Sequence, residues 1–344
     1  MVRQAEPLNL EGPFADLNGR VTPTEQFYVR SHFATPALDA EAFRLIVEGA
    51  VEREIRLTLE ELKEMPRVTR AATLECAGNG RVYLHPPVPG VQWELGAVGN
   101  AEWTGVRLSE VLRLAGVRDE AEEIVMEGAD RGVVEHEDGP ATEIAYARGV
   151  PVRDAEQVVL AYAMNGEPLP REHGFPLRAI VPGHYAMASV KWLTRITVST
   201  EPFGGYFQTE DYAYWDEADG QRVRRPIREM ALKSSIARPV AGDVLAAGPD
   251  VMVAGAAWAG EAGLRCVEVS TDGGATWARA EFLDPEAPGV WRRWRFVWRA
   301  PAAGDYVLMS RVTDARGNMQ PAARDGRMGT YVIHHWVPVP VSVR

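Results

Sequence analysis

Cysteine is almost missing from this sequence: 344 residues contain two, Cys76 and Cys266. Two thiols cannot build the disulfide framework of a small secreted domain or a closed, cysteine-rich zinc site. Long apolar runs are also lacking, since no stretch reaches the roughly 18–20 consecutive apolar residues of a membrane helix. The opening run MVRQAEPLNLEGPFADLNGR has neither an apolar signal core nor a twin-arginine pair. As it stands, the sequence predicts a cytoplasmic protein without membrane insertion, or a periplasmic one if a leader has been removed. Positive charge is in deficit as well, with 37 Lys and Arg against 48 Asp and Glu and a formal net charge of −11. Such a surface repels nucleic acid and anionic membrane. An anionic substrate would require a local cluster of cations set against that field.

The composition, 46% hydrophobic and 25% charged, is ordinary for a globular protein, and the length predicts two domains. The polar, Pro- and Gly-punctuated residues 1–20 read as an irregular lead-in. FRLIVEGAV alternates like a strand. Thr58 and Glu61 form a capping box that opens a short helix stopped by Pro66. RAATLECAGNG reads as a buried strand running into a glycine turn. WTGVRLSEVLRLAG, residues 103–116, reads as an amphipathic helix ending on Gly116. EEIVMEGAD, QVVLAYAMNG, RAIVPG and VKWLTRITVS read as strands, so residues 21–230 are expected to form a mixed α/β domain with long loops. The helical period fades near Lys233. Residues 231–344 then carry short alternating strands, with STDGGATW as a tight hairpin turn, which predicts an all-β immunoglobulin-like sandwich. The fold class expected is α+β, and no internal repeat is present.

Four groups of residues carry candidate chemistry. Cys76 stands where a predicted strand meets Ala77-Gly78-Asn79-Gly80, beside glycines that allow close approach of a ligand, with Arg81 near enough to favour a thiolate. Inert core filler is the commoner fate of a lone cysteine, and a nucleophile is the other option. Arg30 and His32 in FYVRSH form the second group. The third is His173 to Arg178 in HGFPLR with Ser189 and Lys191 in SVKWL. Arginine forks and lysine point charges on such turns make oxyanion pockets, although solvated loop charge is the usual alternative. The fourth is Tyr212 with Trp215, for which packing is an equal alternative.

The runs FYVRSH, LECAGNGR, VQWELGAVGNAEWTGVRLSEVL, YAMNGEPLPREHGFPLR and SVKWL, in this order and spacing, resemble the sulfite oxidase family of molybdopterin enzymes. STDGGATW and GNMQP resemble that family's dimerisation domain. The resemblance implies molybdenum and molybdopterin as cofactors, with Cys76 the protein's thiolate ligand to the metal. It implies that His32, Asp130, His173, Arg178, Ser189 and Lys191 contact the pterin or its phosphate. Arg30, Arg81 and Trp93 would line the substrate pocket, with Tyr212 as the active-site tyrosine. The activity implied is oxidation of sulfite to sulfate by oxygen-atom transfer in a homodimer. No haem motif C-x-x-C-H occurs, so electrons are expected to pass to an external acceptor such as a cytochrome.

The sequence also departs from the family pattern. Gly80 replaces the first of two arginines that usually follow CAGN, and Arg327 in GRMGTYV is two positions from where a further pocket arginine is expected. The loop GHYAMA lacks another, for which His184 and Tyr185 are expected to compensate. Alternatives are a reductase of nitrate or a sulfoxide with the same cofactor, and a non-catalytic binding protein. WRRWRFVW offers residue types common at interface hot spots, with an ordinary strand as the alternative, and Cys266 reads as inert core.

Overall fold

A computed structural model describes every residue of the chain except Asp138, Glu261 and Ala300. The first part of the chain is organised by two five-stranded sheets. In one, Arg67–Glu75, Val98–Arg107, Val159–Met164 and Glu167–Pro168 are antiparallel neighbours, and Arg178–Ile180 also pairs with Val159–Met164. In the other, the order is Ile55–Leu57, Leu45–Gly49, Leu193–Ser199, Glu123–Val134 and Thr142–Pro151, with Leu193–Ser199 parallel to Leu45–Gly49. The capping box is present: Glu61 N–H donates to Thr58 Oγ1 at 3.1 Å, and Thr58 N–H to Glu61 Oε2 at 2.7 Å, opening the helix Leu59–Glu64.

The helix expected from Trp103 is shorter than its period suggests. Residues 103–107 belong to the strand Val98–Arg107, and only Leu108–Ala115 is helical, closed by Gly116 at φ +72°. Trp103 pairs with Arg70 on one side and Met164 on the other. Pairing on both edges outweighs local helical period, and Thr104 and Val106 are β-branched. Gly105 lies where the ladder shifts register, and a Cβ there would stand 1.9 Å from the Leu160 carbonyl oxygen.

Beyond residue 230 the strands form two facing sheets. One contains Lys233–Arg238, Val251–Trp258, Arg292–Trp298 and Glu281–Phe282; the other contains Val244–Leu245, Val339–Val343, Gly304–Asp314, Leu264–Ser270 and Ala278–Arg279. Val253, Val267, Trp294, Leu308 and Val341 fill the space between them. STDGGATW does join two antiparallel strands, but through a loop over residues 271–277 rather than a two-residue turn. Asp272 organises that loop by accepting from Thr276 N–H at 2.9 Å, and Gly273 and Gly274 supply positive φ. Cys266 is only half-buried, because a bulge between Leu264 and Cys266 turns it off the inner face that Leu264, Val267 and Val269 occupy. In WRRWRFVW, Trp291, Trp294 and Trp298 are buried within the chain, while Arg293 pairs with Asp284 and Arg295 with Glu281.

The sandwich also packs into the first part of the chain. Ala256, Trp258, Trp291 and Val332 belong to the same buried cluster as Leu45, Leu160 and Leu193. Each large apolar side chain fully buried there contributes about 1.5–3 kcal/mol. Replacing Gly105 by alanine is expected to lower stability by at least about 1–3 kcal/mol through overpacking against Leu160. The urea unfolding midpoint checks this, and an unchanged midpoint would contradict the close strand approach.

Candidate active site

A pocket opens between the ends of the two N-terminal sheets. Nine of the eleven candidate residues line it: Arg30, His32, Cys76, Asp130, His173, Arg178, Ser189, Lys191 and Tyr212. They come from six separate chain segments, several of them at or next to strand ends. Cys76 follows directly on Arg67–Glu75, its N–H donating to the Ala97 carbonyl at 2.9 Å and its carbonyl accepting from Asn79 N–H at 2.9 Å. The side chain is 5% exposed. Gly80 closes the turn at φ +96°, and a Cβ there would meet Ile333 Cγ2 at 3.1 Å. Backbone conformation and space together account for glycine where the resembling pattern has arginine.

The opposite wall is aromatic. A single-turn π-helix, Phe207–Asp211, precedes Tyr212 and aims its side chain into the pocket. Tyr212 Oη lies 2.7 Å from His32 Nε2, and the His32 ring stacks on Tyr146 at 4.5 Å. Burial, reinforced by Arg30, Lys191 and Arg148, holds the His32 imidazolium well below its usual range, so the ring is neutral. Burial likewise raises Tyr212, against the opposing charge of Arg30, so the hydroxyl keeps its proton. Behind them Arg148 donates to the carbonyls of Phe207 and of Ile227, the latter at 3.0 Å, and lies 5.8 Å from the Tyr212 ring centre.

Cations and their carbonyl partners make up the floor. Arg178 donates to the carbonyls of His173 at 2.9 Å and Ser189 at 3.1 Å, and its Nε has no hydrogen-bond partner. Lys191 Nζ donates to Ser31 Oγ at 2.9 Å and the Glu172 carbonyl at 2.8 Å. Ser189 Oγ accepts from Val181 N–H at 3.0 Å. Asp130 is buried with Oδ1 unpartnered, and burial raises its carboxyl to about 7 against the pull of Lys191. His173 is pushed down to about 3 by burial and by Arg178 and Lys191.

Two candidates stand elsewhere. Arg81 is buried behind the Cys76 turn, donating to the Thr330 carbonyl at 3.2 Å and the Val91 carbonyl at 2.6 Å, with its guanidinium 5.3 Å from the Tyr331 ring centre. Trp93 packs edge-on against Tyr28 at 6.5 Å, one layer behind the wall. Arg327 lies on the surface, paired with Asp216 and Asp325 at 2.7 Å each. His184 and Tyr185 are also off the pocket wall, with Tyr185 buried in the core. From the C-terminal segment it is Tyr331, not Arg327, that stands beside Tyr212. The two rings are 4.7 Å apart, and Tyr331 Oη donates to Asp211 Oδ1 at 2.6 Å. Sequence reasoning missed Tyr331, Asp211, Tyr146 and Arg148. Of these only Asp211, next to Tyr212 in the chain, lay beside a residue already singled out.

Residues 32–207 match the family model described as the oxidoreductase molybdopterin binding domain, and residues 224–341 the Mo-co oxidoreductase dimerisation domain. The chain is 34% identical to mitochondrial sulfite oxidase of Rattus norvegicus, over 93% of its own length and 61% of the rat protein. It is 32% identical to sulfite oxidase of Arabidopsis thaliana, over 93% of this chain and 87% of that one. Among solved structures, the sulfane dehydrogenase SoxCD of Paracoccus pantotrophus superposes with a TM-score of 0.82 at 29% identity, covering 95% of this chain and 82% of that one. The chain thus spans less than two thirds of the rat relative's length.

His173 gives the pocket a signature in acid. Its folded pKa, about 3, lies below the ordinary imidazole value of 6.5, so the unfolded chain takes up the proton first as pH falls. Stability is complete above pH 6.5 and is lost toward pH 3 by up to about 1.4 kcal/mol per pH unit. His173→Gln is expected to flatten this slope, measured as melting temperature against pH. An equally steep slope in the variant would contradict the neutral, buried imidazole.

Proposed function

The chain belongs to the sulfite oxidase family of molybdopterin-dependent oxidoreductases, and on that premise we propose that it oxidises sulfite to sulfate. The observation that carries this reading is one thiol, Cys76, on a pocket wall shared with Arg30, Arg178, Lys191 and Tyr212. The donor set fits the family's molybdenum cofactor. Among the described residues no cluster of three or more His, Cys, Asp and Glu could hold a bare metal ion, so a metal here needs most of its ligands from an organic carrier. Asp130 Oδ1 and Arg178 Nε, both buried without a partner, offer an acceptor and a donor to such a carrier.

Cys76 would supply the thiolate, soft enough for a metal otherwise held by sulfur. His32, Asp130, His173, Arg178, Ser189 and Lys191 would hold the pterin and its phosphate, the cations by charge-assisted hydrogen bonds. Bound there, the cofactor supplies two-electron oxygen-atom transfer to sulfur. Arg30 would hold the oxyanion beside Tyr212, whose protonated hydroxyl, oriented by the neutral His32, would donate to it. Overall, sulfite and water give sulfate, two protons and two electrons, and the electrons go to an external acceptor such as a cytochrome. The C-terminal sandwich would join two copies, as the matched dimerisation domain supports.

The decisive experiment pairs metal analysis with two assays: sulfite with ferricyanide, and nitrate or a sulfoxide with a reduced dye. Molybdenum near one per chain with sulfite-dependent ferricyanide reduction is the expected outcome. Turnover only in the reducing direction would replace sulfite oxidation by reductase chemistry, and a metal-free protein would end the catalytic reading. Tyr212→Phe is expected to lower turnover by about 10²-fold at unchanged molybdenum content. Full sulfite turnover in Cys76→Ser would contradict the ligand assignment.

A further inference from the structure

Behind the Cys76 turn lies a buried polar cluster that the proposed chemistry does not use. Glu75, immediately before Cys76, is 1% exposed, and so is Lys233. Lys233 Nζ stands 2.8 Å from Glu75 Oε1 and donates to the Asn79 carbonyl at 3.0 Å. Trp258 Nε1–H donates to the other carboxylate oxygen, Glu75 Oε2, at 2.8 Å. Asn79 Nδ2–H donates to Glu75 Oε1 at 3.0 Å, and Asn79 Oδ1 accepts from Ala97 N–H at 3.1 Å. Both ends of the turn that carries the thiol are therefore tied to one carboxylate. Lys233 and Trp258 are cross-strand partners on the neighbouring strands Lys233–Arg238 and Val251–Trp258 of the C-terminal sandwich, so they reach the turn from the same face. A third tie comes from the same part of the chain, where Val332 N–H donates to the Ala77 carbonyl at 2.8 Å.

A buried ion pair is weak grounds for stability, since a well-packed apolar pair often does as well, but it fixes geometry where several hydrogen bonds converge. Here they converge on residues 75–79, which leave Cys76 little freedom. We infer that Lys233 and Trp258 are positioning residues for the Cys76 thiolate, and that the C-terminal sandwich sets the ligand's geometry through Glu75. The inference rests on Cys76 being the metal ligand, but its geometric half is independent of any metal. A pair that served only to bury charge between two sheets would not need to grip the Asn79 carbonyl. That contact is what links the pair to the turn.

The test uses the full chain with Cys266→Ser, so that Cys76 is its only thiol. Glu75→Gln with Lys233→Met removes both charges together and avoids an unpaired buried one, and Trp258→Phe removes the N–H donor while keeping an aromatic, though smaller, side chain. Three quantities are measured well below the melting transition: alkylation of Cys76 by iodoacetamide in the metal-free protein, molybdenum per chain, and the sulfur-to-metal charge-transfer absorption. The expected result is alkylation about tenfold faster in the double variant, several-fold lower molybdenum content, and a shifted or broadened absorption band. Trp258→Phe should move each in the same direction, by less. A folded variant with unchanged alkylation overturns the inference, whatever happens to its melting temperature, because a purely structural pair would alter only the latter. If the parent protein takes up no molybdenum, the functional reading fails, yet the alkylation comparison still decides whether the cluster holds the turn.

Discussion

Buried or half-buried positive charge held by main-chain carbonyls is the interaction on which this structure depends. Arg178 grips His173 and Ser189, Lys191 grips Glu172, and Arg148 grips Phe207 and Ile227. Arg81 grips Val91 and Thr330, and Arg30 the carbonyl of Ser31. Each bond staples a loop that has no sheet partner of its own. Carbonyl dipoles stabilise a guanidinium without cancelling its charge, so the loops are ordered while the positive potential survives. That is how a chain with net charge −11 carries a pocket of locally positive charge. Asp130 is the one acidic candidate on that wall, and its burial favours the protonated form.

The same field governs the groups that move protons. An imidazole surrounded by Arg30, Lys191 and Arg148 stays neutral, and a phenol in the same wall stays protonated. A proton passed directly from this phenol to this imidazole would create two buried charges, which is costly at this depth, so the hydroxyl donates to an anion held beside it while His32 stays neutral. The positive pocket and the neutral His32–Tyr212 pair are thus one electrostatic design. The stack on Tyr146 and the contact with Phe207 fix the ring so that Nε2 faces the hydroxyl.

Local chemistry was legible in the sequence, and pairing between distant segments was not. The capping box at Thr58, the glycine turn after Cys76 and the end of the helix at Gly116 follow from residues within a few positions of one another. Residues 103–107 were misread because their partners, Arg67–Glu75 and Val159–Met164, lie far away in sequence. The site shows the same division. Motif order brought nine candidates to one wall, but rank order along the chain cannot say which way Arg81 turns. It turns from the pocket because Val91 and Thr330 present carbonyls behind it. Lys233 and Trp258 were invisible for a further reason: a lysine and a tryptophan on β-strands look like ordinary sandwich residues until Glu75 is found between them.

That Tyr331, and not Arg327, stands beside Tyr212 bears on what the pocket can select. Arg327 spends its charge on Asp216 and Asp325 at the surface, while Tyr331 is tied to Asp211 and stacked under Arg81. Arg30, Arg178 and Lys191 are then the cations on the pocket wall, with Arg148 one layer behind Tyr212. A dianion loses more from a missing fixed charge than a singly charged or uncharged sulfur compound does, because the Coulomb term scales with the product of charges. Discrimination in this pocket should therefore rest less on net charge and more on hydrogen bonds from Tyr212 and Arg30 to substrate oxygens. Such bonds reject an analogue lacking those oxygens more sharply than charge alone could, since the pocket's polar groups would be left unpaired.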